Sequence, residues 1–191
     1  MDLNAIEQHV RGIIEAIGDD PDREGLRETP SRVARMCSEI FQGVSLTNEE
    51  IAHMFNKSFD IEQSCDYGDF VLVKDIESFS YCEHHMALMY DMKVNVAYIP
   101  NGRVLGLSKT ARICDMAAKR LQLQERLGSD IAEILSEAAG TPDVGVVIAG
   151  SHSCMTARGI RNVPARTITQ TFLGKFRDDA DLRNMLTEGV R

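Results

Sequence analysis

Apolar residues recur at three- and four-residue steps through Leu3, Ile6, Val10, Ile13, Ile14 and Ile17, and Gly18 follows them. That spacing predicts one face of a helix, with the glycine where its end should be capped. The next ten residues, DDPDREGLRE, are polar and read as a loop. Thr29 then has the character of an N-cap, with Pro30 at the first helical position. The helix it opens carries Val33, Met36, Cys37, Ile40 and Phe41 as far as Gly43. Thr47 and Glu50 form a capping-box pattern ahead of Ile51, Met54 and Phe55, predicting a short third helix. Residues 1–60 are therefore expected to be a helical N-terminal region and residues 61–191 a mixed domain, the two forming one continuous unit.

The pattern changes at Asp69. The run DFVLVKDIESFSY is rich in strand formers, and Met92, Val94, Val96 and Tyr98 alternate with Lys93, Asn95 and Ala97. Pro100, Asn101 and Gly102 mark a turn. One helix is predicted from about Ser108 through Ala111, Cys114 and Met116 or Ala117. A second carries Leu127, Ile131, Ile134, Leu135 and Ala138 and stops at Gly140. Val144–Ala149 reads as a buried strand and Thr167–Phe172 as another. Asp178 or Asp179 caps a last helix with Leu182, Met185 and Leu186. The order ααα-ββ-αα-ββ-α predicts an α+β fold, an antiparallel sheet backed by helices.

Composition narrows the function. The chain has 191 residues, 43% apolar and 26% charged, an ordinary globular balance. Charge breaks every apolar run within a few residues, so no stretch is expected to span a membrane. The segment MDLNAIEQHVRG has neither the basic start nor the apolar block of a secretory signal, and the cytoplasm is the expected compartment. A net charge of −8 argues against nucleic acid as a partner, since phosphates demand a basic surface. A local basic pocket for a small anion remains compatible with it. The five cysteines have no regular spacing, which speaks against a disulfide framework.

The densest chemistry is Cys82-Glu83-His84-His85, with a second cluster at His152-Ser153-Cys154; together they hold three of the five histidines. Cys82 and His85 are three residues apart, which lets both turn toward one ion. Cys82, His85 and Cys154 would give zinc two thiolates and an imidazole, leaving a fourth position open as catalytic sites do. Two blander readings stand beside this one. The cysteines could be core thiols or a disulfide, or one could be a nucleophile activated by a histidine. Cys37 and Cys114 lie among apolar helix neighbours and are assigned to the core, Cys65 to a loop, and His9 and His53 to the surface. Ser108 looks like an N-cap with Lys109 and Arg112 on the first turn. Helix N-termini attract phosphate, although a solvated helix face has the same look.

The motifs GDDPDREGLRETPSRVARM (18–36), CEHH (82–85), AYIPNGRVLGLSKTARI (97–113), LQLQERL (121–127) and HSCMTARGIRN (152–162) run in order over nearly the whole chain. Together they resemble GTP cyclohydrolase I, which converts GTP and water to dihydroneopterin triphosphate and formate at the start of pterin and folate synthesis. The resemblance implies a T-fold, ββααββ, after an N-terminal helical region. It implies Cys82, His85 and Cys154 as zinc ligands and His84 and His152 as catalytic histidines, His152 protonating guanine N7. It implies Ser108, Lys109, Arg112 and Arg158 at the triphosphate; Arg32 and Arg35 read equally as further cations from a neighbouring subunit or as a solvated helix face. Gln124 and Glu125 fall at the guanine, where one carboxylate can accept from N1–H and the 2-amino group together. The family forms decamers with active sites between subunits, so a homo-oligomer is expected. Two departures are visible: Met86-Ala87-Leu88-Met89 follows CEHH without a proline, and Ser153 is small. Two other functions compete. A nitrile reductase of the same fold uses a cysteine nucleophile and has no need of CEHH; an inactive zinc-binding assembly protein would have no need of His84 and His152.

Overall fold

A computed structural model describes residues 1–60 and 70–190; Cys65 and Asp69 lie outside the described residues. The chain divides into two compact units, Met1–Gln42 and Gly43–Arg191.

In the first unit, α1 (Leu3–Ala16) packs against α2 (Thr29–Ile40). Asp2 caps α1 by accepting from the Ala5 N–H at 3.0 Å. The N-cap of α2 is Glu28, not Thr29, and it makes no side-chain cap bond. The pair buries Ile14, Ala34 and Cys37, while Ile13 and Ile17, which the periodicity assigns to the apolar face, remain 60% and 76% exposed. Two helices alone offer each other only a narrow stripe, narrower than the apolar face the sequence provides. The loop between them is tied by Arg11, which donates to both carboxylate oxygens of Asp22 at 3.0 and 2.7 Å.

In the second unit, α3 (Asn48–Phe55) has both halves of its capping box, Thr47 to the Glu50 N–H and Glu50 back to the Thr47 N–H. It packs on α5 (Gln124–Ala139) and α4 (Leu107–Ala118), so the division between units falls after Gln42 and not near residue 60. The sheet is built from β2 (Val71–Cys82), β3 (Ala87–Tyr98), β5 (Leu121–Gln122), β6 (Val144–His152) and β7 (Thr167–Phe172). Their order is β5-β2-β3-β6-β7, antiparallel except for the short β5, which runs parallel to β2. The succession β2-β3-α4-α5-β6-β7 is the ββααββ of the T-fold, with α4 and α5 on one face.

That face holds the main core: Met92, Val94, Val96, Val146 and Ile148 from the sheet meet Ile113, Leu127, Ile131 and Leu135 from the helices. The opposite face is also covered, by α7 (Lys175–Asp178) and α8 (Ala180–Thr187), through a smaller cluster of Ala97, Val147, Phe176 and Leu186. Burial on both faces explains why β6 reads as a continuous apolar run instead of an alternation. Gly145 belongs to this contact, because a Cβ there would lie 2.7 Å from Leu186 and 2.9 Å from Phe176. A two-stranded ribbon of β1 (Ser58–Asp60) and β4 (Arg103–Leu105) was not expected from the sequence, being three residues a side with no period to read.

Candidate active site

Cys82 ends β2 and pairs with Ala87, the first residue of β3, so Glu83–Met86 form the turn of one hairpin. The His85 N–H donates to the Cys82 carbonyl at 3.4 Å inside that turn. Met86 closes it at φ 51°, a left-handed conformation that costs a non-glycine residue energy and is found disproportionately at functional sites. The turn is held from outside by α5 and the strand before it. The Glu83 N–H donates to the Gln122 carbonyl at 3.0 Å, and its carboxylate accepts from Arg126 at 2.6 Å. Arg126 also donates to the Gln122 side chain and the Leu121 carbonyl. Gln122 in turn donates to Asp130, which is paired with the half-buried Arg120.

The other half of the site comes from the end of β6. His152 pairs with Met89 in the sheet register, and the chain then turns into α6 (Ser153–Thr156). Ser153 donates to the Leu88 carbonyl at 2.6 Å, and the Tyr90 hydroxyl to Thr156 at 3.0 Å, so α6 is tied to β3 at two points. Ser153 is therefore a bonded link between the two halves.

These two pieces bring Cys82, His85 and Cys154 together, with one donor atom from each lying within 4.8 Å of the others. Cys82 is buried, Cys154 half-buried and His85 exposed. Burial, and then the neighbouring Cys82 thiol, push the Cys154 thiol up. Two thiols so close repel each other as thiolates, and a soft divalent cation is what relieves that repulsion. The donor set therefore fits zinc. The alternative of a core role holds for Cys37 and Cys114, both buried; Cys114 is completely enclosed and its thiol is pushed up to about 12.

Around this cluster, the His84 Nδ1 lies 3.8 Å from the Cys82 Sγ, and its ring stands edge-on to His85 at 6.4 Å. Arg158, four residues beyond Cys154, donates from its guanidinium to the His85 Nε2 at 3.0 Å. His152 is lodged against Gln124, Nε2 to Oε1 at 2.8 Å. Burial lowers the His152 pKa, and the Glu125 carboxylate partly offsets this.

Successive residues of the first turn of α5 point in three directions. Gln124 is 1% exposed, with its side chain taken up by protein groups; Glu125 is exposed; Arg126 holds Glu83. The helix step of about 100° per residue produces this division. On α4 the helix begins two residues earlier than a Ser108 cap would place it. Gly106 is the N-cap and Ser108 lies inside the first turn, so the expected Ser108 cap is corrected to Gly106. Ser108 and Arg112 are exposed and Lys109 half-buried. Among the described residues none of the three side chains makes a hydrogen bond or ion pair. Arg32 is paired with Glu28 at 2.6 Å, and Arg35 is exposed. Sequence reasoning missed Glu83 and Arg126 and read Ser153 only as a departure, because the importance of all three depends on partners far away in the chain.

The family description of GTP cyclohydrolase I matches residues 6–191. Among curated relatives, GTP cyclohydrolase 1 of Ruminiclostridium cellulolyticum is 60% identical over 188 residues, covering 97% of this chain and 96% of that protein. Those of Clostridium botulinum (strain Loch Maree) and Clostridium acetobutylicum are 55% and 56% identical. They cover 97% and 95% of this chain, and 96% and 94% of their own lengths. A solved structure, the archaeosine synthase QueF-Like in the apo form, is a looser likeness: TM-score 0.47 and 22% identity, over 57% of this chain and 97% of that one. On the match over residues 6–191 and relatives of 55–60% identity along almost the full length, this chain belongs to the GTP cyclohydrolase I family.

Proposed function

We propose that this chain opens the imidazole ring of the guanine of GTP by hydrolysis, releasing formate and leaving 7,8-dihydroneopterin triphosphate, the first step toward tetrahydrofolate. The observation that carries the reading is the meeting of Cys82, His85 and Cys154 donor atoms within 4.8 Å in a chain of this family.

Cys82, His85 and Cys154 would hold zinc, and a zinc ion bound there would supply a Lewis acid that lets nearby water lose its proton near neutral pH. The remaining work falls to the chain's own side chains. Water adds to guanine C8 and electrons move toward N7, so a proton must arrive there. His152 is the donor in this reading, and His84, beside Cys82, moves protons around the opened ring and the ribose. Ser108, Lys109, Arg112 and Arg158 receive the triphosphate near the start of α4. The exposed carboxylate of Glu125 pairs with guanine N1–H and the 2-amino group.

The chain would act as a homo-oligomer, a decamer with sites between subunits. Among the described residues, β2 has an outer partner only at Tyr81 and Cys82, and β7 has none on its outer side. Free edges of this kind invite pairing with further strands. No helix of the described residues is long and apolar enough to cross a membrane, and the reading includes a cytoplasmic site of action and no nucleic-acid partner.

The test is to incubate the purified protein with GTP, and separately with ATP, and to measure formate and the pterin product. Formate and dihydroneopterin triphosphate in equal amounts from GTP, and none from ATP, are expected. No reaction with zinc present would favour an inactive assembly protein, and release of phosphate without formate would contradict ring opening. Glu125→Ala should lower GTP turnover sharply and narrow the preference for GTP over ATP in binding, because a site built to hydrogen-bond a substrate rejects an analogue lacking the partner by roughly 10⁴-fold.

A further inference from the structure

Gln124 is buried at 1% exposure, and every polar atom of its side chain has a partner. Its Nε2 lies 3.0 Å from the carbonyl oxygens of both Ile148 and Thr167, and 3.2 Å from the Thr169 hydroxyl. Its Oε1 lies 2.8 Å from the His152 Nε2. This arrangement decides the amide's orientation. Turned over, Oε1 would face two carbonyl oxygens with no proton between them, a buried repulsion, whereas as found the two N–H groups meet acceptors. Oε1 is then an acceptor only, and the His152 Nε2 must carry the hydrogen that it receives. The backbone leaves room for this: at Gly150 a Cβ would lie 2.8 Å from Met92 and 3.3 Å from the Gln124 Oε1.

We infer that Gln124 is a positioning residue that fixes the ring of His152 with Nε2–H toward α5, so that Nδ1 is the nitrogen that exchanges a proton with the substrate. This rests on the role of His152 proposed above, and it gives Gln124 a task other than touching guanine. The anchors of Gln124 are main-chain carbonyls of β6 and β7, so the orientation is set by the sheet itself. Nδ1 has no hydrogen-bond partner among the described residues. Catalytic histidines elsewhere use a fixed acceptor in this way, and loss of the correct tautomer costs up to about 10⁴-fold in turnover.

The test has two parts. Nitrogen-15 spectra of zinc-loaded protein labelled at histidine, with the His152 signals identified by their loss in His152→Asn, report the tautomer directly and do not depend on activity. Nε2–H with a bare Nδ1 is expected in the neutral ring; Nδ1–H would overturn the inference, and this part needs no variant of Gln124. Kinetically, Gln124→Met should lower kcat by about 100-fold, with the KM for GTP changed less than about threefold and metal content unchanged. Gln124→Glu keeps an acceptor for Nε2–H and, when protonated, a donor for the Ile148 carbonyl; it should recover kcat to within about tenfold of wild type. A raised KM with kcat intact in Gln124→Met would make Gln124 a substrate contact instead, and an equal loss of kcat in both variants would also overturn the inference. Failure of the proposed activity itself would appear as absence of formate release by the wild type, whatever tautomer the spectra report.

Discussion

The N-terminal parts of α5 and α4 both carry polar and charged side chains and treat them in opposite ways. On α5, Gln124 and Arg126 are bonded to protein groups, to His152 on one side and to Glu83 on the other, and so hold both halves of the cysteine–histidine cluster in position. On α4, the Ser108, Lys109 and Arg112 side chains have no partner among the described residues. The difference separates chemistry from capture. Groups that must meet a reacting atom with small error are locked by protein bonds before substrate arrives. The α4 groups proposed to neutralise a triphosphate are left for the ligand to satisfy, whereas Arg158, proposed for the same task, rests on His85. Glu125, exposed between two bonded neighbours, belongs with the second kind.

The sharpest break should come at the cluster itself. Cys154→Ser replaces a thiolate with a weak ligand, and metal content should fall from one per chain to near zero with loss of formate release. Cys114→Ser, deep in the core, should keep its metal. Elemental analysis of both variants checks this. On the α4 side, Arg112→Ala removes charge without disturbing any bond, and should weaken GTP by about 10- to 100-fold, as expected for a charged hydrogen bond of roughly 1.5–3 kcal/mol. Guanosine should be almost unaffected, and the loss for GTP should shrink in high salt; equal losses for both ligands would erase the distinction between the two helices.

Arg126→Met sharpens the comparison from the other side. It frees Glu83 and loosens the turn that carries His84 and His85, so zinc affinity should drop by about tenfold or more while GTP affinity stays within about twofold. Competition with a chromogenic chelator measures the first and equilibrium binding the second. The smallest effect is expected at Met86, held at φ 51°. Met86→Gly removes the left-handed penalty of about 1 kcal/mol but adds freedom to the unfolded chain, so thermal stability should move by under about 1 kcal/mol. A large loss on unfolding by denaturant would mean that the Met86 side chain, 58% exposed, supports the turn by packing.

Much of the fold was legible because local signals agreed with it. The capping box at Thr47 and Glu50, the Asp179 cap of α8, the stop of α5 at Gly140 with φ 67° and the bounds of β7 all follow from a few adjacent residues. The alternation seen around Met92–Tyr98 gave the strand but hid its second buried face, since Asn95 and Ala97 are covered by elements from the far end of the chain. The meeting of Cys82, His85 and Cys154 was legible because cysteine beside histidine has few other uses. The roles of Gln124, Arg126 and Glu83 were not, because an amide or an ion pair acquires its meaning from partners up to 45 residues away. The capping position of α4 was misjudged by two residues because Gly106 carries no side chain to signal it.

The account stands or falls on metal-dependent ring opening at Cys82, His85 and Cys154. The direct measurement strips the protein with a chelator and then titrates zinc back while following formate release from GTP. The account predicts no activity in the stripped protein and a linear recovery that breaks at one zinc per chain, with Cys154→Ser failing to recover. Full turnover by metal-free protein, or recovery in Cys154→Ser equal to wild type, would contradict it.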